Sequence, residues 1–231
     1  VVMADYTLSV QYLKMSFLVG ENYPYYGDVH VIDIDMCPPP DMVCRCELLT
    51  LETIRQMLLP VHPFSHKGTF GHGLLVAGSA DMPGAAILSG KAAMRGGLGK
   101  LTVHSAKEVT RLLPTILPEA ILNPDKNDRV VSEVAWHTLQ PNINAIAVGP
   151  GLGKDKLTVS AIKDILDAVH MPLILDADAL NMLAENKTWL AFLPENSILT
   201  PHFKEFERLA GPAENDFDRL EKAKQFGKPV Q

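Results

Sequence analysis

Between Ser65 and Gly99 the chain reads SHKGTFGHGLLVAGSADMPGAAILSGKAAMRGGLG, and this stretch restricts the possible folds more than any other. The apolar run 74–77 has the length of a buried strand and stops at Gly78-Ser79. A short polar loop follows, and Pro83-Gly84-Ala85 then opens an Ala-rich helical pattern that continues to Arg95. Strand, glycine loop and helix start therefore stand in a row. Such a loop can bring free backbone N–H groups and the positive end of the helix dipole against an anionic or strongly polar ligand. Gly78 and Gly84 carry no Cβ to block that approach.

The rest of the chain repeats this unit. Strands are expected at 101–104, 145–148, 173–175 and 198–199. Helices are expected at 107–113, closed by Pro114, and at 155–169, 179–184, 203–210 and 216–226. In the second of these, Leu157, Ile162, Ile165, Leu166 and Val169 fall at helical spacing. Short apolar runs alternating with helices imply an α/β fold with a parallel sheet covered on both faces. Ligands of such sheets bind beyond the carboxyl ends of the strands. Four of those ends carry informative residues: Gly78-Ser79, the GPGLG loop at 149–153, Asp176-Ala177-Asp178 and Thr200-Pro201-His202. If these strands are neighbours, all four ends face one crevice. Residues 227–231 read as the approach to a further strand, so the domain is expected to be truncated here.

Residues 1–36 look like the end of another unit, with short strands at 6–10 and 29–34. Three consecutive prolines, Pro38-Pro39-Pro40, can continue neither strand nor helix and place a linker at 37–49. A helix pattern at Leu51, Ile54, Met57 and Leu58 then leads into the organising stretch. With 231 residues, 47% of them apolar, the chain can bury a sizeable core. A net charge of −6 argues against nucleic acid and anionic membranes as partners, and no run of about 18 apolar residues marks a membrane span. The opening VVMADYTLSV has neither a signal-peptide pattern nor an initial Met, so the chain is expected to begin inside a longer one. Cys37, Cys44 and Cys46 share one Pro-rich segment, and their odd number favours reduced thiols in the cytoplasm. No fourth zinc ligand lies at suitable spacing. His62 and His66 straddle Pro63, which breaks the helix that could present them with His72 to a metal, so no metal site is expected.

HKGTFGHGLLVAGSADMPGAAILSGKAAMRGGLGKL at 66–101, AIAVGPGLG at 145–153, PLILDADAL at 172–180 and ILTPHFKEFERLAG at 198–211 occur in this order. With them, residues 50–231 resemble the NAD(P)H-hydrate dehydratase family, a branch of the ribokinase-like superfamily. Residues 1–36, through ADYTLSVQYLK at 4–14 and the strand that follows Tyr26-Gly27, resemble the tail of the NAD(P)H-hydrate epimerase domain of bifunctional repair enzymes. The resemblance implies a three-layer α/β/α fold and a cytoplasmic lyase that repairs the hydrate of NADH or NADPH. In such enzymes ADP, or ATP in some relatives, phosphorylates the ring hydroxyl with Mg2+ expected, and phosphate then leaves to restore the dihydropyridine. A homo-oligomer, a tetramer in relatives, is implied as well.

Carried over by position, Ala85, Gly151 and His202 match the hydrate-binding residues of that family. Each also has a plainer reading: helix packing for Ala85, a strand-to-helix turn for Gly151, a solvent-facing helix start for His202. The dipole at a helix start disfavours imidazolium, so His202 is expected as a neutral hydrogen-bonding group rather than a base. Asp176 is expected to orient the site loops and Asp178 to cap a helix. The family's catalytic aspartate lies in a Gly-x-Gly-Asp motif, and no Gly-x-Gly string within 1–231 precedes an aspartate. The catalytic residue is thus unassigned, and the 231 residues are expected to bind better than they turn over. A ribokinase-like small-molecule kinase and a non-catalytic nucleotide-binding module are the alternatives.

Overall fold

The computed structural model describes residues 2–37, 47–58, 60–135 and 143–227, which divide into two units. One is formed by the stretches up to Pro63 and Ala213–Gly227, the other by Phe64–Pro212. The prolines of the expected linker, Cys44, Cys46 and residues 228–231 lie outside the described residues; Cys37 carries an exposed free thiol.

In the first unit Tyr6–Val10 (β1) and Asp28–Ile32 (β2) pair in parallel, Tyr6 opposite Asp28 and Val10 opposite Ile32. Parallel pairing needs a crossover. Two 3-10 turns, Met15–Leu18 and Gly20–Asn22, and the short helix Tyr23–Tyr26 (α1) supply it. The Tyr26 ring meets Phe17 edge-on at 5.3 Å, and its hydroxyl donates to the Phe17 carbonyl at 2.8 Å. Leu51–Met57 (α2) starts at Thr50, whose hydroxyl accepts the Thr53 N–H.

In the second unit six strands form one sheet: His72–Val76 (β3), Lys100–Ser105 (β4), Ile121–Pro124 (β5), Ala145–Val148 (β6), Leu173–Leu175 (β7) and Ile198–Leu199 (β8). Their order is β5-β4-β3-β6-β7-β8, and every neighbouring pair is parallel. Between them run Pro83–Arg95 (α3), Lys107–Ile116 (α4), Lys156–Ala168 (α5) and Asp178–Glu185 (α6), with Phe203–Ala210 (α7) after β8. Right-handed crossovers put α3 and α4 on one face and, because the strand order reverses after β5, α5 and α6 on the other. All five residues of β3 are buried, as a strand covered on both faces requires. Leu75 and Ala77 pack with Leu101, Val103, Ala86, Val109, Leu113 and Leu117 beneath α3 and α4. Each leucine so buried contributes about 2 kcal/mol by removing apolar surface from water.

Two details differ from the sequence expectation. Helix α4 does not close at Pro114 but continues to Ile116 with Pro114 inside it. Proline so near the end forfeits a bond in a turn that has few to lose, while burial of Val109 and Leu113 holds the helix in place. Strand β5 has no expected counterpart. Its apolar pair Ile121-Leu122 runs straight into Asn123-Pro124, and proline is tolerated because the strand lies at a sheet edge. Among the described residues no helix is long and apolar enough to cross a membrane.

Candidate binding crevice

The chain reverses its direction of travel across the sheet between β3 and β6, which makes their carboxyl ends the topological switch point. The two loops that leave there touch. Gly78 N–H donates to the Pro150 carbonyl at 2.8 Å. Gly151 has φ +64°, and a Cβ on it would stand 2.5 Å from the Ala85 Cβ and 3.0 Å from the Met82 carbonyl. The GPGLG backbone therefore lies directly on the first turn of α3. Pro83 occupies that turn, and the cap residue Met82 offers its amides no side-chain acceptor. This arrangement suits an anionic ligand group.

The neighbouring strand ends are tied in by carboxylates. Asp178 Oδ2 accepts the Gly153 N–H at 2.9 Å, and Asp176 Oδ1 accepts the Thr200 hydroxyl at 2.8 Å. Asp178 is thus not the cap of α6, as its position suggests, but its first residue. Ala177 takes the cap position with φ +48° and ψ −115°, a conformation a residue with a Cβ rarely adopts, and this turns Asp178 toward the GPGLG loop. At Gly149 the Asp176 carbonyl would stand 1.8 Å from an added Cβ, so only glycine lets β6 and β7 end this close together.

His202 caps α7. Its Nδ1 accepts the N–H groups of Lys204 at 3.1 Å and Glu205 at 3.4 Å, while Glu205 Oε2 accepts the His202 N–H at 3.0 Å. This reciprocal capping box needs Nδ1 free of a proton. The rest of the imidazole is largely exposed, with Nε2 3.4 Å from Glu205 Oε1. The fold thus brings Ala85 and Gly151 into contact and links Asp176 to the β8 loop. His202 stands at the β8 edge, three strands and about 14 Å from β3 at ordinary strand spacing.

One carboxylate in this region has no counterpart in the sequence reading. Asp125 follows β5 and is 3% exposed, with His104 Nε2 3.2 Å from its Oδ2. Burial alone would raise its pKa, but hydrogen bonds from His104, Ser132 and the backbone of Asn127 and Ser132 outweigh that and hold it well below the usual carboxylate range. The run NPDKND carries the signal in retrospect: alternating Asn and Asp favour turns in which side chains accept nearby backbone N–H groups. The histidines singled out in the sequence are engaged separately. His66 Nδ1 accepts the Gly68 N–H. His72 is buried in β3 with Nε2 2.8 Å from the Thr102 hydroxyl, and burial, then the nearby Lys100 charge, push its pKa down. Among the described residues no three His, Cys, Asp or Glu side chains come together to hold a metal ion.

Parallel strand order, two helical layers and a switch point between β3 and β6 define a doubly wound α/β/α protein. A ribokinase-like superfamily protein from Enterococcus faecalis superposes with a TM-score of 0.62 at 24% identity, over 73% of this chain and 59% of its own. The chain belongs to the NAD(P)H-hydrate dehydratase family, whose model matches residues 73–231. It is 40% identical over 187 residues to an ADP-dependent (S)-NAD(P)H-hydrate dehydratase of Bacillus subtilis, covering 79% of this chain and 63% of that one. A bifunctional NAD(P)H-hydrate repair enzyme of Moorella thermoacetica is 31% identical over all of this chain and 45% of its own length. The crystal structure of an ADP/ATP-dependent NAD(P)H-hydrate dehydratase from Bacillus subtilis, co-crystallized with ATP and Mg2+, matches at 34% identity and a TM-score of 0.56, over 77% and 60% of the two chains. The chain thus spans between 45% and 63% of the length of the two curated relatives.

Proposed function

We propose that the crevice binds the hydrate of NADH or NADPH and serves its ADP-dependent dehydration, a lyase reaction of cofactor repair in the cytoplasm. The observation that carries this reading is the seating of Gly151 on Ala85, which presents two backbone loops and a helix N-terminus to one ligand. Ala85 keeps the wall low enough for close approach, Gly151 supplies its backbone N–H, and Asp176 orients the β8 loop that carries His202. His202, its Nδ1 engaged in capping, carries a proton on Nε2 that a ligand acceptor would take over from Glu205 Oε1, 3.4 Å away. In the reaction the ring hydroxyl attacks the terminal phosphorus of ADP and AMP leaves. Phosphate then departs from the ring carbon as the nitrogen lone pair supports the cation, and loss of a neighbouring proton restores the dihydropyridine. The chain's part is to position and to stabilise charge. Mg2+ is expected to accompany the nucleotide phosphates, and among the described residues no cluster of three protein ligands awaits it.

Residues 1–36 are read as the tail of an epimerase-like domain, 37–49 as a linker and 50–231 as dehydratase domain, assembled as a homo-oligomer. No Gly-x-Gly-Asp occurs in the 231 residues, which favours a second reading for this length of chain: hydrate binding without turnover. Incubation with NADH hydrate and ADP, following the return of reduced-nicotinamide absorbance, separates the two when hydrate binding is measured alongside. Binding with turnover supports the dehydratase reading in full. Binding without turnover supports the site and places the catalytic aspartate elsewhere, and a stable phosphorylated alcohol with no reduced nicotinamide would replace the dehydratase by a kinase.

A further inference from the structure

Asp125 is buried and both its oxygens are filled by donors. Its Oδ1 accepts the Asn127 N–H at 2.7 Å and the Ser132 hydroxyl at 2.6 Å. Its Oδ2 accepts the N–H groups of Ser132 at 2.8 Å and Glu133 at 3.2 Å, beside His104 Nε2. Asp125 N–H itself donates to the Ser105 carbonyl at the end of β4. A buried charge is tolerated only when its acceptor sites are filled in this way, and filling them from residues 127, 132 and 133 closes the loop on itself.

The outer side of that loop faces two helix starts. Its Asn127 and Asp128 carbonyls accept the N–H groups of Lys107 and Glu108, each at 3.0 Å, so the start of α4 is filled by protein carbonyls. Next to it, the Arg129 carbonyl accepts the Ala80 N–H at 2.8 Å, and Arg129 Nη2 pairs with Asp81 Oδ1 at 2.6 Å. Ala80 and Asp81 belong to the loop from β3 into α3, shortly before Ala85. The loop therefore occupies the first two amides of α4 and braces the approach to α3.

We propose that Asp125 is a positioning residue of the binding crevice. By knotting residues 125–133 it fixes Ala80 and Asp81, and through them the height at which the first turn of α3 and Ala85 meet the dinucleotide. The ligand half of this assignment rests on the dinucleotide reading; the loop half stands on the geometry alone.

Asp125→Asn in the 231-residue chain tests it, because an amide cannot accept at both oxygen positions. Amide hydrogen exchange should speed up at Ala80, Lys107 and Glu108 while Leu75 in β3 keeps its rate, and NADH-hydrate affinity should fall about tenfold, the size of a coupled contact. Exchange rising equally at Ala80 and Leu75 would show general destabilisation and overturn the proposal, as would freed Ala80 with unchanged hydrate affinity. Should Asp125→Asn not fold, Arg129→Ala leaves the buried carboxylate intact. It should weaken hydrate binding about threefold, as loss of an exposed ion pair allows, and unchanged affinity there counts against the assignment. An unaltered chain that binds no NADH hydrate refutes the dinucleotide reading and the ligand half with it. Selective loss of protection at Ala80 in Asp125→Asn then still decides the loop half.

Discussion

At Gly151 a single methyl group is the difference between a loop seated on α3 and one pushed off it. Gly151→Ala would place a carbon 2.5 Å from the Ala85 Cβ and 3.0 Å from the Met82 carbonyl on a backbone at φ +64°, and neither contact can yield without moving α3 or the loop. We expect a loss of about 1–3 kcal/mol in stability, as overpacking of a tight contact costs. NADH-hydrate binding should disappear in the same variant, read by urea unfolding and by titration. Asp125 gives the other residue-scale test. Its pKa is depressed in the folded chain, so its stabilisation is complete above the ordinary carboxylate value of about 3.9 and is lost as pH falls below it. His72 acts in the same direction from a higher pH, because burial opposes its protonation while the unfolded chain takes up the proton near pH 6.5. Urea midpoints measured from pH 7 to pH 3 should therefore fall for the unaltered chain, and the part of the fall below about pH 5 should be smaller in Asp125→Asn, which has no carboxyl to protonate.

The helix ends carry the tests at the next scale. His202 caps α7 through Nδ1, and on the proposed reading the rest of its ring meets the ligand. His202→Ala should cost about 1 kcal/mol of stability through loss of the cap, together with hydrate affinity. His202→Asn keeps a cap acceptor, so it should restore most of the stability and none of the affinity. Equal affinities for His202→Asn and the unaltered chain would reduce His202 to a cap. These elements also show what can be read from a sequence. The run 74–77, the alternating apolar segments to Leu199 and the helical spacing of Leu157 to Leu166 are local signals, and each emerged as a strand or helix close to where it was expected. So did the four informative strand ends, because parallel strands in the order β3-β6-β7-β8 put them side by side. The turn of Asp178 toward Gly153 depends on the backbone angle at Ala177, which no side-chain pattern encodes. Asp125 is faintly marked in the sequence because its donors are assembled only when residues 127–133 fold back over it, and β5 because an edge strand needs few apolar residues.

Across the whole second unit, the sheet consists of two runs that are each continuous in the chain. β3, β4 and β5 make one and β6, β7 and β8 the other. The β3–β6 ladder, from Gly73 opposite Ala145 to Val76 opposite Val148, joins them within the sheet. A ligand resting on both Ala85 and Gly151 spans that line. At a hundred times its dissociation constant it should stabilise the unit by about 2.7 kcal/mol. Limited proteolysis with and without NADH hydrate checks this: the hydrate should slow cleavage within residues 64–212, and equal rates would mean that the ligand does not grip both runs. On the proposed reading, the seam between β3 and β6 would make a damaged cofactor preserve the very protein that binds it. Protein would accumulate while the lesion persists and be cleared when the pool is clean, so abundance would follow need with no change in synthesis.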